Sequence, residues 1–330
     1  MTDSTLSKSP FKLSFSEIKS IFKRDIYIDI ISSAPFIRLK NVHFLGAIDF
    51  VIGKNETRKE RQNTRYQHSL GVARLALIFS KKKQFNPDDE VLFVLASLLH
   101  DIGHAPLSHS MESVFVDTFN FGHHQASERI LKGEIKNLAS IWKIIDLYGI
   151  NIFRIIEILN GVGAQMYREA FDYPINIDTI EGILRCIQMM PNYEVEISPE
   201  DVVNELANIS VNSERIFDQF WNAKNYVYQN LIHSELGVIA DYLCQDYMSN
   251  ARNISEDFFY DSEIKFRKKH SKIFKLLLSL KRSKSLNLFA KHSTDYYERV
   301  FEIKWRVKLS NIEDLKYRYI QHKVKKHLDW

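Results

Sequence analysis

The 330-residue sequence contains little cysteine, glycine or proline, and it has no long apolar run. Its two cysteines, Cys186 and Cys244, belong to no CxxC pair, which argues against a disulfide framework and against a cysteine-rich zinc site. The 11 glycines and 7 prolines are few for the many turns of an all-β fold, so long helices joined by short loops are expected. We therefore predict a mostly helical, all-α protein with at most a minor strand pair.

The sequence also lacks the features of membrane and secreted proteins. No apolar stretch reaches the ~20 residues that a membrane-spanning helix needs, and the N-terminal residues have no apolar signal-peptide core. We therefore expect a cytoplasmic protein with no membrane partner. The formal charge of +4 is modest and does not by itself indicate nucleic acid, whereas 45% hydrophobic residues are enough to build a substantial core.

The helix with the clearest predicted start follows Asn86. Asn86 suits the N-cap, Pro87 suits the first helical position, and three acidic residues follow at the positive end of the helix dipole. Apolar residues then cover nearly the whole helix surface as far as Leu99, which predicts a buried helix. Gly103 and Pro106 are expected to end it.

Weaker patterns predict the other elements. The expected elements are an extended segment at Asp25–Ile30, a helix at Ser33–Gly46, a polar loop at Gly53–Gln67, a helix at His68–Lys81 and a small candidate strand at Tyr193–Ile197. Helical patterns dominate from Ser127 to the C-terminus.

The buried helix ends in the pair His100-Asp101, which suggests a functional site. A carboxylate buried alone costs several kcal/mol, so Asp101 is expected to be paired or bound to a cation. An isolated pair of this kind is more often a core histidine beside a capping or salt-bridged aspartate. His104 follows four residues after His100, so the two lie on one face if the helix continues through Gly103.

This pair is not isolated in the sequence. Six of the 12 histidines fall within one stretch, at positions 68, 100, 104, 109, 123 and 124. Imidazole and carboxylate ligands together suit Zn, Mn, Fe or Ni and need no sulfur. A metal site is therefore a stronger interpretation than scattered surface histidines.

Two segments carry a specific resemblance. RYQHSLGVARLA (Arg65–Ala76) and LLHDIGHAPLSHSME (Leu98–Glu112) resemble the two signature stretches of the HD phosphohydrolase superfamily. Within it they most resemble the branch that contains deoxynucleoside triphosphate triphosphohydrolases. The upstream PFIRLKNVHFLG and the downstream GHHQASERIL are similar to further segments of that branch.

The resemblance implies a metal-dependent phosphohydrolase with one divalent cation, for which Mn, Fe, Zn, Ni and Mg are the candidates. The ligands that it implies are His68, His100, Asp101 and a later aspartate. Asp178 is preferred because INIDTIEGILR resembles the family's closing aspartate, which is followed by a helix and an arginine. Asp172 is the alternative.

The resemblance also implies roles for residues around the metal. The implied catalytic residues are His104, His109, Glu112 and His123. His104 and His109 would contact phosphate or protonate the leaving oxygen, and the Glu112–His123 pair would orient a nucleophile. Arg65 and His124 would bind substrate, Arg65 through its forked donors to a phosphate.

The chain departs from the triphosphohydrolase pattern after the closing aspartate. That branch has a lysine for phosphate, then a tyrosine and an aspartate for the sugar, where this sequence has Thr179, Gly182 and Cys186. The metal machinery therefore looks intact while the substrate contacts differ. We expect hydrolysis of a phosphate ester or anhydride of a nucleotide, rather than specifically of a deoxynucleoside triphosphate.

The resemblance covers about residues 25–190. We therefore divide the chain into an N-terminal tail (1–24), an HD-type catalytic core (25–190) and a helical C-terminal region packed on that core (191–330). The resemblance is also compatible with a homo-oligomer.

Two basic stretches leave alternatives open. Lys265–Lys284 and Lys316–His327 could contact nucleic acid, which would suit a nuclease or phosphodiesterase. The preferred interpretation is that they are solvated helix faces, with Ile273, Phe274, Leu277 and Leu278 packed inward. A non-catalytic nucleotide-binding sensor is the third hypothesis, and the complete set of metal ligands argues against it.

Overall fold

The computed structural model of the chain describes residues 12–52, 63–190, 193–251, 254–282 and 292–330. Within these ranges it contains 18 α-helices and one two-stranded antiparallel sheet, so the predicted all-α class with a minor strand pair is confirmed. None of the helices in these ranges is both long enough and apolar enough to cross a bilayer.

The helices follow one another with short connections. The first eight are α1 (Phe15–Ile21), α2 (Asp25–Ser32), α3 (Ala34–Arg38), α4 (Ala47–Ile52), α5 (Arg65–Lys82), α6 (Pro87–Leu99), α7 (His109–Phe119) and α8 (His123–Leu131). The next five are α9 (Ser140–Leu147), α10 (Ile152–Leu159), α11 (Gln165–Phe171), α12 (Ile177–Ile187) and α13 (Pro199–Ala207). The last five are α14 (Glu214–Val227), α15 (Glu235–Ser249), α16 (Glu263–Lys269), α17 (Ser271–Arg282) and α18 (Asp314–Arg318). A π-helical turn, Tyr228–Ile232, follows α14, and strands β1 (Ser293–Ile303) and β2 (Tyr319–Asp329) form the sheet.

Helices α5 and α6 form the centre of the core. The Asn86 side chain accepts hydrogen bonds from the backbone N–H groups of Asp88 (3.1 Å) and Asp89 (2.9 Å), which confirms the predicted start of α6. All residues from Leu92 to Leu99 are buried, as the apolar run predicts. Helix α5 begins at Arg65 rather than at His68, because Thr64 and not a later residue provides its N-cap.

Helix α6 ends before Gly103, so the condition under which His100 and His104 would share one helical face is not met. The helix ends at Leu99, and the following N–H groups of Ile102 and His104 bond to carbonyls three residues back, in tight turns. A Cβ on Gly103 would lie 2.4 Å from the His123 carbonyl oxygen, so glycine lets this turn pack directly on α8. His100 and His104 therefore do not share a helical face.

Several N-terminal predictions also differ from the structure. Asp25–Ile30 is helical and not extended, because Ile26, Tyr27 and Ile30 of α2 are buried at helical spacing. Only Ala34–Arg38 and a short 3₁₀ turn after it are helical within Ser33–Gly46, and His43 then pairs with Thr64 in an isolated β-bridge.

The predicted tail and loop are partly ordered. Residues 12–24 contain helix α1, whose Ile18 and the following Phe22 are buried in the core, so this part of the 1–24 segment is not a loose tail. Residues 1–11 and residues 53–62 of the predicted polar loop lie outside the described residues.

The C-terminal region contains the sheet. Eleven residue pairs join β1 and β2, from Ser293↔Asp329 to Ile303↔Tyr319. Lys316–His327 is therefore mostly a strand and not a basic helix, because acidic partners on β1 complement its lysines. Lys325 lies 2.6 Å from Asp295 and Lys326 lies 3.5 Å from Glu298. This local charge pairing weakens the nucleic-acid interpretation of the stretch.

The other basic stretch is a solvated helix face, as preferred. In α17, Ile273, Phe274 and Leu277 are buried and Leu278 is half-buried, while residues 283–284 lie outside the described residues. The candidate strand at Tyr193–Ile197 is irregular backbone, so that prediction is wrong; residues 191–192, just before it, are not described.

The C-terminal helices pack directly on the elements that carry the histidines. A second hydrophobic cluster joins residues of α4, α7, α15 and α17, among them Val51, Phe115, Ile239 and Phe274. The main cluster joins α5, α6, α12 and α14. The site described next lies between these two clusters of packed helices.

Candidate active site

Four side chains from three parts of the chain meet at the N-terminal end of α12. His68 lies on α5, His100 and Asp101 follow α6, and Asp178 lies in the first turn of α12. The Nε2 atoms of His68 and His100 are 3.3 Å apart. Asp178 Oδ1 lies 3.0 Å and 3.7 Å from these two nitrogens, and Asp101 Oδ2 lies 3.5 Å from each.

These distances fit a divalent cation. Ligand atoms about 2.0–2.1 Å from one ion lie roughly 3.0–3.4 Å from their neighbours. The rings of His68 and His100 are inclined at 71°, so that two lone pairs can converge on one point. Nitrogen and carboxylate donors suit zinc and the transition metals named above. Asp172 lies instead on an exposed surface, where it accepts a hydrogen bond from Arg168 at 2.8 Å.

The electrostatics of the cluster favour positive charge at its centre. Burial opposes a charge on His100, but Asp101 and Asp178 outweigh that effect and raise its pKa to about 9. Desolvation alone would raise the pKa of Asp178, yet hydrogen bonds from His100 and His68 hold that pKa well below its usual value. The raised pKa of His100 and the lowered pKa of Asp178 both indicate a position that favours positive charge, which a metal cation would supply.

A buried carboxylate supports His68 from behind. Glu181 accepts a hydrogen bond from Nδ1 of His68 at 2.5 Å, and Arg185 binds the same carboxylate. A Cβ on Gly71 would lie 2.2 Å from Glu181 Oε1, so glycine at this position lets the carboxylate reach the ring. Partners of this kind fix the tautomer and the orientation of a ligating histidine.

Arg65 is buried and already bonded to protein atoms through three of its nitrogens. Its Nη1 donates to Asp101 Oδ2 at 2.6 Å, its Nε donates to the Ser108 hydroxyl at 3.1 Å, and its Nη2 donates to the Phe44 carbonyl at 2.8 Å. The resemblance assigns Arg65 to a substrate phosphate. The contacts instead show it holding Asp101 in place.

The predicted catalytic residues form a second cluster beside the first. Glu112 binds Nδ1 of His109 at 2.9 Å with one oxygen and Nδ1 of His123 with the other. His104 is 1% exposed, and its Nε2 lies 3.1 Å from Asp101 Oδ1, so it touches both clusters. Sixty per cent of the His109 side chain is exposed, which leaves it within reach of a ligand.

The three histidines of this cluster do not form a second metal centre in this geometry. One ring nitrogen from each of His104, His109 and His123 lies within 4.8 Å of the other two. The rings of His104 and His123, however, are stacked at 4.1 Å with an angle of only 15° between their planes. A metal must lie close to the plane of each imidazole that binds it, and two nearly parallel planes cannot share one ion between them.

The electrostatics of this cluster keep His104 neutral. Burial, the nearby Arg65 and His123 lower its pKa well below its usual range. Burial opposes the charge of Glu112, but its hydrogen bonds with His109 and His123 lower its pKa. Glu112 is therefore a carboxylate that accepts hydrogen bonds from both rings.

His124, the other predicted substrate residue, is exposed. Its ring lies 4.1 Å from the ring of His123, and it lines a narrow cleft together with His100 and Asn160. It thus borders the first cluster on the side of His100.

Sequence reasoning missed several neighbours of the site. Glu181 and Arg185 follow Asp178 by three and seven residues, and this polar stripe on a strongly apolar helix is the signal that could have revealed them. Phe44 also went unnoticed. A Cβ on Gly182 would lie 3.0 Å from its Cζ, so the Phe44 ring occupies the space beside Gly182, and it packs on His68 with centroids 4.5 Å apart.

A basic and aromatic surface from the C-terminal region was missed as well. Lys224 is 5% exposed and donates to the carbonyl of Pro174, four residues before Asp178, at 3.1 Å. Burial lowers its pKa to about 7. Arg299 of β1 donates to the hydroxyl of Tyr228 at 3.0 Å. Among the described residues, neither Lys224 nor Arg299 forms an ion pair with a carboxylate.

Comparison with known proteins agrees with this site. Residues 65–202 match the model of the family described as HD domain. Deoxynucleoside triphosphate triphosphohydrolase SAMHD1 of Gallus gallus is 28% identical over 136 residues, which cover 38% of this chain and 21% of that protein. A deoxyguanosinetriphosphate triphosphohydrolase-like protein of Pelagibacter ubique is 27% identical over 260 residues, which cover 76% of this chain and 63% of that protein.

A solved structure matches most of the chain. The crystal structure of a hypothetical protein from Aquifex aeolicus superposes with a TM-score of 0.69 at 17% identity, over 92% of this chain and 91% of that one. At this identity the likeness establishes the fold alone. The chain spans about a third or less of the length of uncharacterized bacterial and archaeal relatives that it also matches.

Proposed function

Since residues 65–202 form an HD domain, we propose that this protein is a phosphohydrolase that cleaves a phosphate ester or anhydride of a nucleotide at a divalent cation. The observation that carries the proposal is the grouping of His68, His100 and Asp101 at ligand spacing, with Asp178 Oδ1 3.0 Å from His68 Nε2, beside a second cluster of histidines. The names of the Gallus gallus and Pelagibacter ubique relatives support a nucleotide as substrate.

His68, His100, Asp101 and Asp178 would hold the cation. Once bound, a divalent ion polarises a phosphoryl oxygen and lowers the pKa of water. Glu181 holds the His68 ring in the orientation that ligation requires, and Arg65 does the same for the Asp101 carboxylate. We therefore assign Arg65 primarily to positioning and only secondarily to phosphate.

The histidine cluster would move the protons. Glu112 occupies Nδ1 of both His109 and His123, so Nε2 of each ring is left to contact substrate. His109 is the more exposed of the two and is suited to donate a proton to the leaving oxygen. His104, buried between the clusters, would contact the phosphate that lies at the cation.

Two features bear on the substrate. The Phe44 ring fills the space beside Gly182 where the triphosphohydrolase branch has a tyrosine, so a sugar would have to bind differently. Arg299, which forms no ion pair with a carboxylate among the described residues, offers positive charge for further phosphate groups, with Tyr228 beside it and the buried Lys224 nearby. Both features favour a phosphorylated small molecule held mainly through its phosphates.

Metal analysis followed by a phosphate-release screen tests the proposal. The purified protein should contain about one equivalent of Mn, Fe, Zn, Ni or Mg and should release phosphate or pyrophosphate from at least one nucleotide. The His100→Ala and Asp101→Ala variants should lose metal and turnover together. Full metal occupancy without turnover over a broad nucleotide panel would favour a nucleotide sensor instead.

A further inference from the structure

A carboxylate from outside the HD domain reaches the turn that leads into the histidine cluster. Glu263, the first residue of α16, is 4% exposed. Its Oε1 accepts hydrogen bonds from the backbone N–H groups of His43 (3.1 Å) and Leu107 (2.9 Å), and its Oε2 is hydrogen-bonded to Nδ1 of His43. One side chain thus ties together two segments that are 64 positions apart in the chain.

The turn that Glu263 holds has a backbone conformation that L-residues seldom adopt. Leu107 has φ +60° and Ser108 has φ +44°, and neither is a glycine. Such residues persist only where surrounding contacts hold them. Glu263 binds the Leu107 N–H, and the Ser108 hydroxyl donates to the His43 carbonyl at 2.6 Å, so His43 and Glu263 together hold the whole turn.

The turn is connected to both clusters of the site. His109 follows Ser108 directly and begins α7, so the turn sets where the His109 ring projects. The Ser108 hydroxyl also accepts the hydrogen bond from Arg65 Nε, and Arg65 holds Asp101. A shift of the turn would therefore reach a proton-carrying residue directly and a metal ligand through one arginine.

The same C-terminal segment makes a second tie. Arg38 is buried, and it donates to the carbonyls of Ile102 (2.6 Å) and His104 (2.8 Å) and to the carbonyl of Asp261 (3.2 Å). The 261–263 segment thus contacts the backbone on both sides of the histidine-containing turns.

We propose that Glu263 is a positioning residue of the active site, which acts by fixing the Leu107–Ser108 turn and, through it, the placement of His109. The expected effect of Glu263 on kcat rests on the proposed function, whereas its effect on the Leu107–Ser108 turn does not. Glu263 touches no substrate and no metal ligand, and it acts from the part of the chain beyond the family match.

Kinetics of the full chain test the proposal first. Glu263→Ala should lower kcat roughly 10–100-fold, the size of effect that a misplacement of about 1 Å produces, with KM and metal content close to wild type. Glu263→Gln keeps an oxygen for the two N–H groups and can donate to neutral His43, so it should recover most of kcat. Glu256→Gln, a surface carboxylate two turns earlier that pairs with Arg129, is the matched control and should change nothing.

A double-mutant cycle separates positioning from general damage. In a His109→Ala background, Glu263→Ala should lower kcat less than about threefold, because the residue through which it acts is already gone. An equal fold-loss in both backgrounds, or a loss that follows metal content, would overturn the proposal.

Hydrogen exchange provides a readout that does not depend on turnover. Peptides that contain Leu107 and Ser108 should exchange faster in Glu263→Ala than in wild type, while peptides from the centre of α6 should not change. This measurement tests the positioning role of Glu263 even if the protein has no phosphohydrolase activity. Unchanged exchange at Leu107 in Glu263→Ala would refute the positioning role whatever the substrate.

Discussion

Glu181 accepts a hydrogen bond from Nδ1 of His68 at 2.5 Å and is itself held by Arg185 on the next turn of α12. All three side chains are buried. The bond turns Nε2 of His68 toward Asp178 and His100, so Glu181 sets the direction of a proposed metal ligand without being one itself.

Glu181→Gln should therefore weaken metal binding 10–100-fold, which is the usual cost of losing an outer partner of a metal ligand. Competition with a chromophoric chelator would measure the change. Glu200→Gln, which alters a carboxylate paired with Arg74 on the surface of α13, should bind metal like wild type. Equal affinity in the Glu181→Gln variant and in wild type would contradict the assigned support.

The two candidate aspartates can be separated by matched substitutions. Asp178→Asn should reduce metal content and turnover by more than the roughly 10–100-fold expected for an outer partner, because it removes a ligand itself. Asp172→Asn breaks only an exposed contact with Arg168 and should leave both quantities near wild type. Elemental analysis after gel filtration is the measurement. Loss of metal in Asp172→Asn alone would reverse the assignment.

Gly71 should tolerate no side chain. The Cβ of Gly71→Ala would lie 2.2 Å from Glu181 Oε1, and Glu181 cannot move without breaking its bonds to His68 and Arg185. We expect a loss of about 1–3 kcal/mol in the free energy of unfolding, as for overpacking in other cores, together with weaker metal binding.

Gly149→Ala is the control for this variant. It has φ +66° but no atom within 4 Å of the added Cβ, so it should cost only about 1–2 kcal/mol of backbone strain and leave metal affinity unchanged. Urea unfolding and a chelator titration of both variants separate the steric effect from the conformational one. Wild-type metal affinity in Gly71→Ala would show that Glu181 can adjust.

The His43–Glu263 pair should make stability depend on pH. Burial would lower the pKa of His43, but Glu263 and Asp49 outweigh both burial and Arg267 and raise it to about 9. Because the pKa is higher in the folded state than the ordinary 6.5, the pair stabilises the fold fully below pH 6.5 and loses that contribution as the pH rises through 9. The loss should be roughly 3 kcal/mol.

Urea unfolding of wild type and His43→Gln at pH 6 and pH 9.5 checks this expectation. The difference in unfolding free energy between the two proteins should shrink as the pH rises, because glutamine does not titrate. A constant difference over this range would show that His43 does not change its charge there.

The sequence was sufficient for the parts of the fold that depend on local signals. Asn86 and Pro87 mark the start of α6, and the apolar run to Leu99 requires burial, so that helix could be predicted from one segment. The HD-type resemblance was likewise carried by contiguous residues. The six residues Asp25–Ile30 are too few to distinguish the periodicity of a strand from that of a helix. Their apolar side chains, which suggest a strand, are mostly buried on one side of helix α2.

Features that depend on distant partners could not be predicted in this way. The strand Tyr319–Asp329 is basic, and its acidic complement lies on a strand that begins 26 residues earlier. Glu181 resembles any helical glutamate until its proximity to His68 is known.

The reach of Arg38 into the backbone at Ile102 and His104 limits how this protein can be divided. The segment that matches the HD domain begins at residue 65 and ends at 202, so it contains neither Arg38 nor Glu263. A fragment cut at residues 65 and 202 would lose Arg38, the donor to the Ile102 and His104 carbonyls. It would also lose Glu263, which binds the Leu107 N–H and holds the Leu107–Ser108 turn. The segment that matches the HD domain is therefore not an independent unit. A truncated or grafted version must include helices from both sides of it.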